Sequence, residues 1–266
     1  MAESRLPVLR TVSAVRYVTP LREGGSLPAV VEGDDDGLYV MKFRGAGQGP
    51  KALVAELVAG ELARALGLLL PEIVFMELDE DLARTEADPE IQDLIRASTG
   101  LNLALDFLPS ALTYDPLVSQ PDAALASRIV WFDAFVMNVD RTARNTNMLL
   151  WHRRLWLIDH GAALYFQHQW DGYMARSISP FPPVRDHVLL PFADALEEAD
   201  TECRARLSDA TIAGVVDLIP DDWLRDTDAF ADAPAQREAY RRFLGARLEA
   251  SRTFVEEAIR ARSLRV

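Results

Sequence analysis

Cysteine, basic charge and long apolar runs are all scarce in this chain of 266 residues. Cys203 stands alone, which excludes an internal disulfide and a cysteine-based metal cluster and fits a reducing compartment. Twenty-eight Lys and Arg face 41 Asp and Glu, a formal charge of −13 without any long basic run. Such a surface repels phosphate backbones, so nucleic acid is not expected as a partner. No stretch approaches the roughly 18 apolar residues that span a bilayer, and residues 1–7 hold no apolar run of signal-peptide length. The expectation is a cytoplasmic protein without stable membrane insertion. His152, His160, His168 and His187 are spaced too irregularly for a zinc site. Internal repeats and low-complexity tracts are missing as well. What the chain does have is 49% hydrophobic residues, enough to build a real core in one large domain or in two lobes sharing a cleft.

Along residues 1–108 the pattern is strands around one helix. Residues 8–19, 27–32 and 38–43 read as a three-strand meander, turned at Gly24-Gly25-Ser26 and at Asp34-Asp35-Asp36-Gly37. In the third strand Leu38, Val40 and Lys42 share one face, so Lys42 projects from an apolar surface. Pro50 suits a first helical turn, and Leu53, Leu57, Leu62 and Leu66 mark a helical stripe that stops at Gly67. Pro71 releases the chain into a strand over 73–78. Residues 79–100 are acidic and weakly patterned, and 101–108 reads as a buried strand ending at Pro109. A lobe boundary is expected there, with 109–266 mainly helical. Leu125, Ile129, Phe132 and Val136 mark a helix, 138–146 is polar, and 147–151 and 155–158 form a hairpin around a loop of about three residues. Asp133, on the otherwise apolar helix, reads as a satisfied buried polar group rather than a catalyst.

The chemistry concentrates in Asn138-Val139-Asp140-Arg141-Thr142-Ala143-Arg144-Asn145, in the hairpin that follows, and in Ile158-Asp159-His160-Gly161. A hairpin returns its second strand to the start of its first, so Asn145 and Asp159 are expected side by side with Asp140 on the same loop. Two carboxylates and an amide oxygen make a hard-oxygen site suited to Mg²⁺, which completes its shell with phosphate and water. On the strand side, Lys42 needs an anion to orient it, and Glu56 on the helix is favoured over Glu61. A lysine, a glutamate partner, metal ligands, an aspartate near the acceptor hydroxyl and a Gly-rich loop are the parts that phosphoryl transfer asks for. Gly24-Gly25-Ser26 can supply that loop through backbone N–H groups. Asn138 is assigned a structural role, holding the loop by hydrogen bonds.

Asn-x-Asp-x-x-x-x-Asn, a hairpin and then Asp together resemble the catalytic segment of HipA-type kinases. Asp-Arg followed by Ile-Asp-x-Gly is similar to type II phosphatidylinositol 4-kinases as well. Glu56 ahead of Ala65-Leu66-Gly67-Leu68 and Pro71 strengthens the HipA side of the resemblance, which covers about residues 10–165. The resemblance implies an α+β, two-lobed protein-kinase-like fold with a β-rich N-lobe and a mainly helical C-lobe, and ATP with Mg²⁺ between them. It makes Asp140 the catalytic base, Asn145 and Asp159 the metal ligands, Lys42 the phosphate-binding lysine and Glu56 its ion-pair partner. Arg144 would steady the transferring phosphate, Gly24, Gly25 and Ser26 would cover the phosphates, and backbone groups near Asp106, Phe107 and Leu108 would meet the adenine. Thr142 and Arg144 stand where HipA-type loops usually have His and Lys. The expected activity is ATP- and Mg²⁺-dependent phosphorylation of Ser or Thr on a protein. The alternatives are a lipid or small-molecule kinase, and a pseudokinase that binds nucleotide as a scaffold.

Overall fold

The computed structural model describes residues 9–21, 27–47, 49–225 and 228–264. β1 (Thr11–Pro20), β2 (Ala29–Gly33) and β3 (Leu38–Lys42) form the antiparallel meander that the alternation predicts. Its second turn is held by its own carboxylates. Asp34 accepts the Ser13 N–H at 3.0 Å, and Asp35 accepts the Gly37 N–H at 3.1 Å and the Tyr39 hydroxyl at 2.7 Å. After α1 (Pro50–Ala65) come β4 (Ile73–Leu78), α2 (Pro89–Ala97) and β5 (Gly100–Asp106). β5 runs antiparallel between β3 and β4, and β4 closes onto β1 in parallel, giving a closed barrel in the order β1-β2-β3-β5-β4.

Side chains alternate across each strand. Val31, Tyr39, Met41, Val74 and Met76 therefore fill the barrel, whereas Ile73, Leu103 and Leu105 belong to the core shared with α1. Lys42 lies opposite Leu103 on that outer surface. α1 is apolar on every side rather than along one stripe, and such a helix must be covered all round. Leu53 to Ala63 are buried, with Glu56 and Glu61 among them.

Residues 79–100, weakly patterned in sequence, hold a 3-10 turn at Glu80–Thr85 and then α2. Asp88 caps α2 by accepting the Glu90 N–H at 2.9 Å, Pro89 occupies the first turn, and Ile91 and Ile95 are buried one turn apart. Acidic composition had hidden a capped amphipathic helix.

Beyond β5 the chain is mainly helical. β6 (Leu112–Thr113), β7 (Met148–Trp151) and β8 (Arg154–Leu157) make a small antiparallel sheet, and α3 (Ala123–Phe135) lies between the first two in sequence. The hairpin turn is tighter than expected. Arg154 pairs with Trp151, which leaves His152 and Arg153 alone in the turn with φ of 48° and 61°. Leu149 is the residue opposite Trp156, so the Trp151 and Trp156 rings meet diagonally, 5.1 Å between centroids. α4 (Tyr173–Ser177), α5 (Leu196–Arg206), α6 (Asp209–Asp217), α7 (Ala233–Glu249) and α8 (Ser251–Ser263) complete the fold. Their core is aromatic: Phe166 and Phe243 stack with centroids 3.6 Å apart, and Trp131 packs on Phe135 and Phe254.

Candidate active site

The polar loop after α3 is organised from beneath by Asp133. The carboxylate is wholly buried near the end of α3 and accepts from three side chains. Arg141 Nε donates at 2.5 Å, Asn138 Nδ2 at 2.9 Å and His187 Nε2 at 2.9 Å. His187 Nδ1 accepts the Leu189 N–H at 3.0 Å, so in the neutral ring Nε2 carries the proton it gives to Asp133. Burial alone would raise the Asp133 carboxyl, but the Arg141 charge and the His187 hydrogen bond override it and hold the group well below the usual carboxylate range. Arg141 also donates to the Asn147 carbonyl, and its own carbonyl accepts the Val188 N–H at 3.1 Å. Both ends of the loop are thus tied to one buried ion pair.

Asp140 stands on this platform, partly exposed. Its N–H donates to Asn138 Oδ1 at 3.2 Å, which is the structural role assigned to Asn138 from sequence. Asn145 Nδ2 donates to Asp140 Oδ2 at 2.8 Å, and Asn147 Nδ2 donates to the same oxygen at 3.2 Å. The hairpin returns its second strand to the end of this loop: Met148 pairs with Leu157, and the Ile158 N–H donates to the Asn147 carbonyl at 3.1 Å. Asn147 went unremarked in sequence; its φ of 46° is a conformation that asparagine tolerates better than most residues, but one Asn among several carried no signal.

At the end of β3, Lys42 Nζ lies 2.5 Å from Glu56 Oε2 and 2.5 Å from Asp159 Oδ1. Glu56 is fully buried and also accepts the His160 N–H at 2.7 Å, while His160 Nδ1 sits 3.3 Å from Glu56 Oε1. His160 packs edge-on to Phe132 with ring centroids 5.8 Å apart, in the core beside Asp159. Burial disfavours the charged form of Glu56, yet the Lys42 charge and the His160 hydrogen bond hold its carboxyl well below the ordinary range. Burial likewise disfavours charged Lys42, and the Glu56 and Asp159 carboxylates more than restore it, raising its pKa. Glu61, the rival on the same helix, pairs instead with Arg64 at 3.2 Å, and burial pushes its carboxyl up.

The remaining expectations fall differently. Arg144 is exposed on the loop, apart from the Asp133 platform. The Phe107 N–H donates to the Leu38 carbonyl and the Asp106 N–H to the Glu72 carbonyl, both at 2.9 Å, so Leu108 is the first residue of this connection whose N–H has no sheet partner among the described residues. Burial raises the Asp106 carboxyl. Gly24, Gly25 and Ser26 lie outside the described residues; on either side of them, the Leu21 N–H donates to the Pro28 carbonyl at 2.7 Å. Among the described residues no group of three or more His, Cys, Asp and Glu gathers as a metal centre. The donors at the cleft edge are the Asn145 amide oxygen, whose nitrogen faces Asp140, and the half-exposed Asp159 carboxylate, of which one oxygen is on Lys42. An all-oxygen set of few protein ligands fits Mg²⁺ bound mostly through phosphate and water.

A family profile described as HipA-like kinase matches residues 14–251. No curated protein matches the sequence. Among solved structures, a proinflammatory kinase of Helicobacter pylori, CtkA, is similar with a TM-score of 0.59 at 13% identity, over 94% of this chain and 99% of that one. The likeness shows a kinase fold. A Golgi casein kinase with Mn and ADP bound is more distant, with a TM-score of 0.48 at 11% identity over 94% of this chain and 73% of that one.

Proposed function

The chain belongs to the HipA-like kinase family, and from that premise we propose that it transfers the γ-phosphoryl group of ATP, with Mg²⁺, to a serine or threonine hydroxyl of a protein. The observation that carries this reading is the double engagement of Lys42 by Glu56 and Asp159 opposite an Asp140 held by two asparagine amides. Magnesium-bound ATP supplies the phosphoryl group and the positive charge that shields its oxygens. Asn145 and Asp159 would hold the metal. An ammonium has three donors, and two of those on Lys42 are spent on Glu56 and Asp159, so one is left to reach a phosphate oxygen. Glu56, fixed by His160, keeps that ammonium from following the nucleotide out of register.

Asp140 would orient the acceptor hydroxyl and take its proton as the bond to phosphorus forms. Asn145 and Asn147 both point an N–H at Oδ2, which leaves Oδ1 as the oxygen to receive the acceptor. Arg144, exposed on the same loop, would add positive charge near the moving phosphoryl, and Leu108 would offer its backbone to the adenine. Residues 1–108 and 109–266 are read as the two lobes, and Gly24-Gly25-Ser26 as the cover over the phosphates.

The test incubates the wild type and Asp140→Asn with γ-labelled ATP and Mg²⁺ and follows label into protein, lipid and soluble acceptors. Label in protein with the wild type, and its loss by ~10²–10⁴-fold in Asp140→Asn, is expected. Label only in lipid or a small molecule would move the acceptor, and no transfer to any acceptor would leave a nucleotide-binding scaffold.

A further inference from the structure

Between the hairpin, α3 and the end of α1 is a cavity of about 470 Å³. Its lining contains none of Lys42, Glu56, Asp140, Asn145 and Asp159. Leucine side chains, from Leu68 after α1, Leu125 on α3 and Leu155 on β8, supply an apolar part of its lining. Three arginines line it, Arg128 on α3 and Arg153 and Arg154 at the hairpin turn.

These arginines are poorly matched within the chain. Among the described residues no carboxylate lies within ion-pair distance of Arg153 or Arg154, and Arg128 has only Glu202 at 3.6 Å. Asp122 also lines the cavity, but its carboxylate is occupied in capping α3, accepting the Leu125 N–H at 2.7 Å. In a protein of net charge −13, three arginines line one concavity, and among the described residues two of them have no carboxylate at contact distance. Tyr114 forms part of the wall, and its buried hydroxyl has no hydrogen-bond partner among the described residues. The cavity is of a size for a small molecule rather than a single ion.

We infer that this cavity is a second ligand site, distinct from the nucleotide cleft, for a small organic phosphate whose anionic end meets Arg128, Arg153 and Arg154 and whose apolar body lies on the leucine side chains. Guanidinium forks suit phosphate oxygens, two at a time. The apolar part of the lining is what separates an organic phosphate from the free ion.

Isothermal titration calorimetry with phenyl phosphate and with inorganic phosphate, in chelator and without Mg²⁺ or nucleotide, tests the assignment. Phenyl phosphate should bind saturably at one site, at least tenfold more tightly than inorganic phosphate. Arg153→Ser/Arg154→Ser, both exposed and confirmed as folded by circular dichroism, should weaken it at least tenfold, and Arg128→Met should weaken it independently. Equal affinity for the two probes would overturn the organic ligand. Full binding by the double variant, or no saturable binding by the wild type, would overturn the site itself.

Discussion

Lys42 is the residue at which structure and chemistry are hardest to separate. Its ammonium stands between Glu56, which is fully buried, and Asp159, which is half exposed. Removing the lysine therefore strands a buried carboxylate. Lys42→Ala should lower stability by ~3–5 kcal/mol, the usual cost of leaving half of a buried pair, besides stopping transfer. The double variant Lys42→Met/Glu56→Gln should recover most of that stability in urea unfolding and none of the activity; recovery of activity would show that the lysine serves the fold alone. Asp140 makes the opposite case. It is partly exposed and receives its hydrogen bonds rather than supporting others, so Asp140→Asn should unfold at nearly the wild-type urea concentration while transfer falls as stated above.

Elements, rather than single residues, set where the loop sits. α3 presents Asp133 to Arg141, Asn138 and His187, so one carboxylate on a helix fixes a loop and the segment around His187 together. Asp133→Ala leaves the buried guanidinium of Arg141 unpaired and should cost ~3–5 kcal/mol. Activity should fall too, though Asp133 faces no substrate; the readout that separates positioning from unfolding is kcat measured on the residual folded fraction. α7 makes a similar staple from the other side. Arg247 is fully buried and donates to the carbonyls of Ala134 and Phe135 at the end of α3, and to those of Ser177 at the end of α4 and Ser179 just beyond it. Burial pushes its pKa down to about 9, which still leaves it charged at neutral pH. Arg247→Met abandons several buried acceptors at once, each worth ~1–3 kcal/mol when unpaired, and is expected to be among the most destabilising single changes in a thermal-melt survey. α1 and the segment after Asp159 are laced by reciprocal bonds. Lys51 Nζ donates to the Gln167 carbonyl and Gln167 Nε2 to the Lys51 carbonyl, both at 3.0 Å, and Tyr240 donates to Gln167 Oε1 at 2.7 Å.

For the whole molecule, the depressed carboxyls of Glu56 and Asp133 make stability depend on acid in a definite direction. Both bind protons more readily in the unfolded chain than in the native one. Their contribution is complete above the ordinary carboxylate range, and it is lost as pH falls below about 4 toward the native pKa values. Each group adds up to ~1.4 kcal/mol of lost stability per pH unit in that window. Urea unfolding between pH 7 and 3 should show a plateau and then a fall, and Asp133→Asn should flatten the fall; a slope unchanged in that variant would remove Asp133 from the cause. Ligand linkage acts on the same global equilibrium. ATP with Mg²⁺ at ~100 times its Kd should stabilise by ~2.7 kcal/mol, raising Tm by roughly 5–10 °C for a chain of this size. Asp159→Asn should lose the metal-dependent part of that shift.

Local patterns determined much of this protein by themselves, because periodicity and turn chemistry depend on neighbours in sequence. The meander, the helix from Pro50, the strand at Ile73–Leu78 and the hairpin were all legible from alternation, spacing and Gly or Pro punctuation. So was the pairing of Lys42 with Glu56, since a lysine on an apolar strand face and a glutamate on the next helix have few other ways to be satisfied. α2 escaped because its acidic residues diluted an apolar stripe of only Ile91 and Ile95. The rest was decided by tertiary structure. Barrel closure through parallel pairing of β1 with β4, the gathering of His187 and Asn138 on Asp133, and the cavity between the hairpin and α3 join residues far apart in the chain. No local window carries those distances. A buried carboxylate announces that it must have partners, but which partners reach it depends on how helices and strands pack, and that is a property of the folded chain alone.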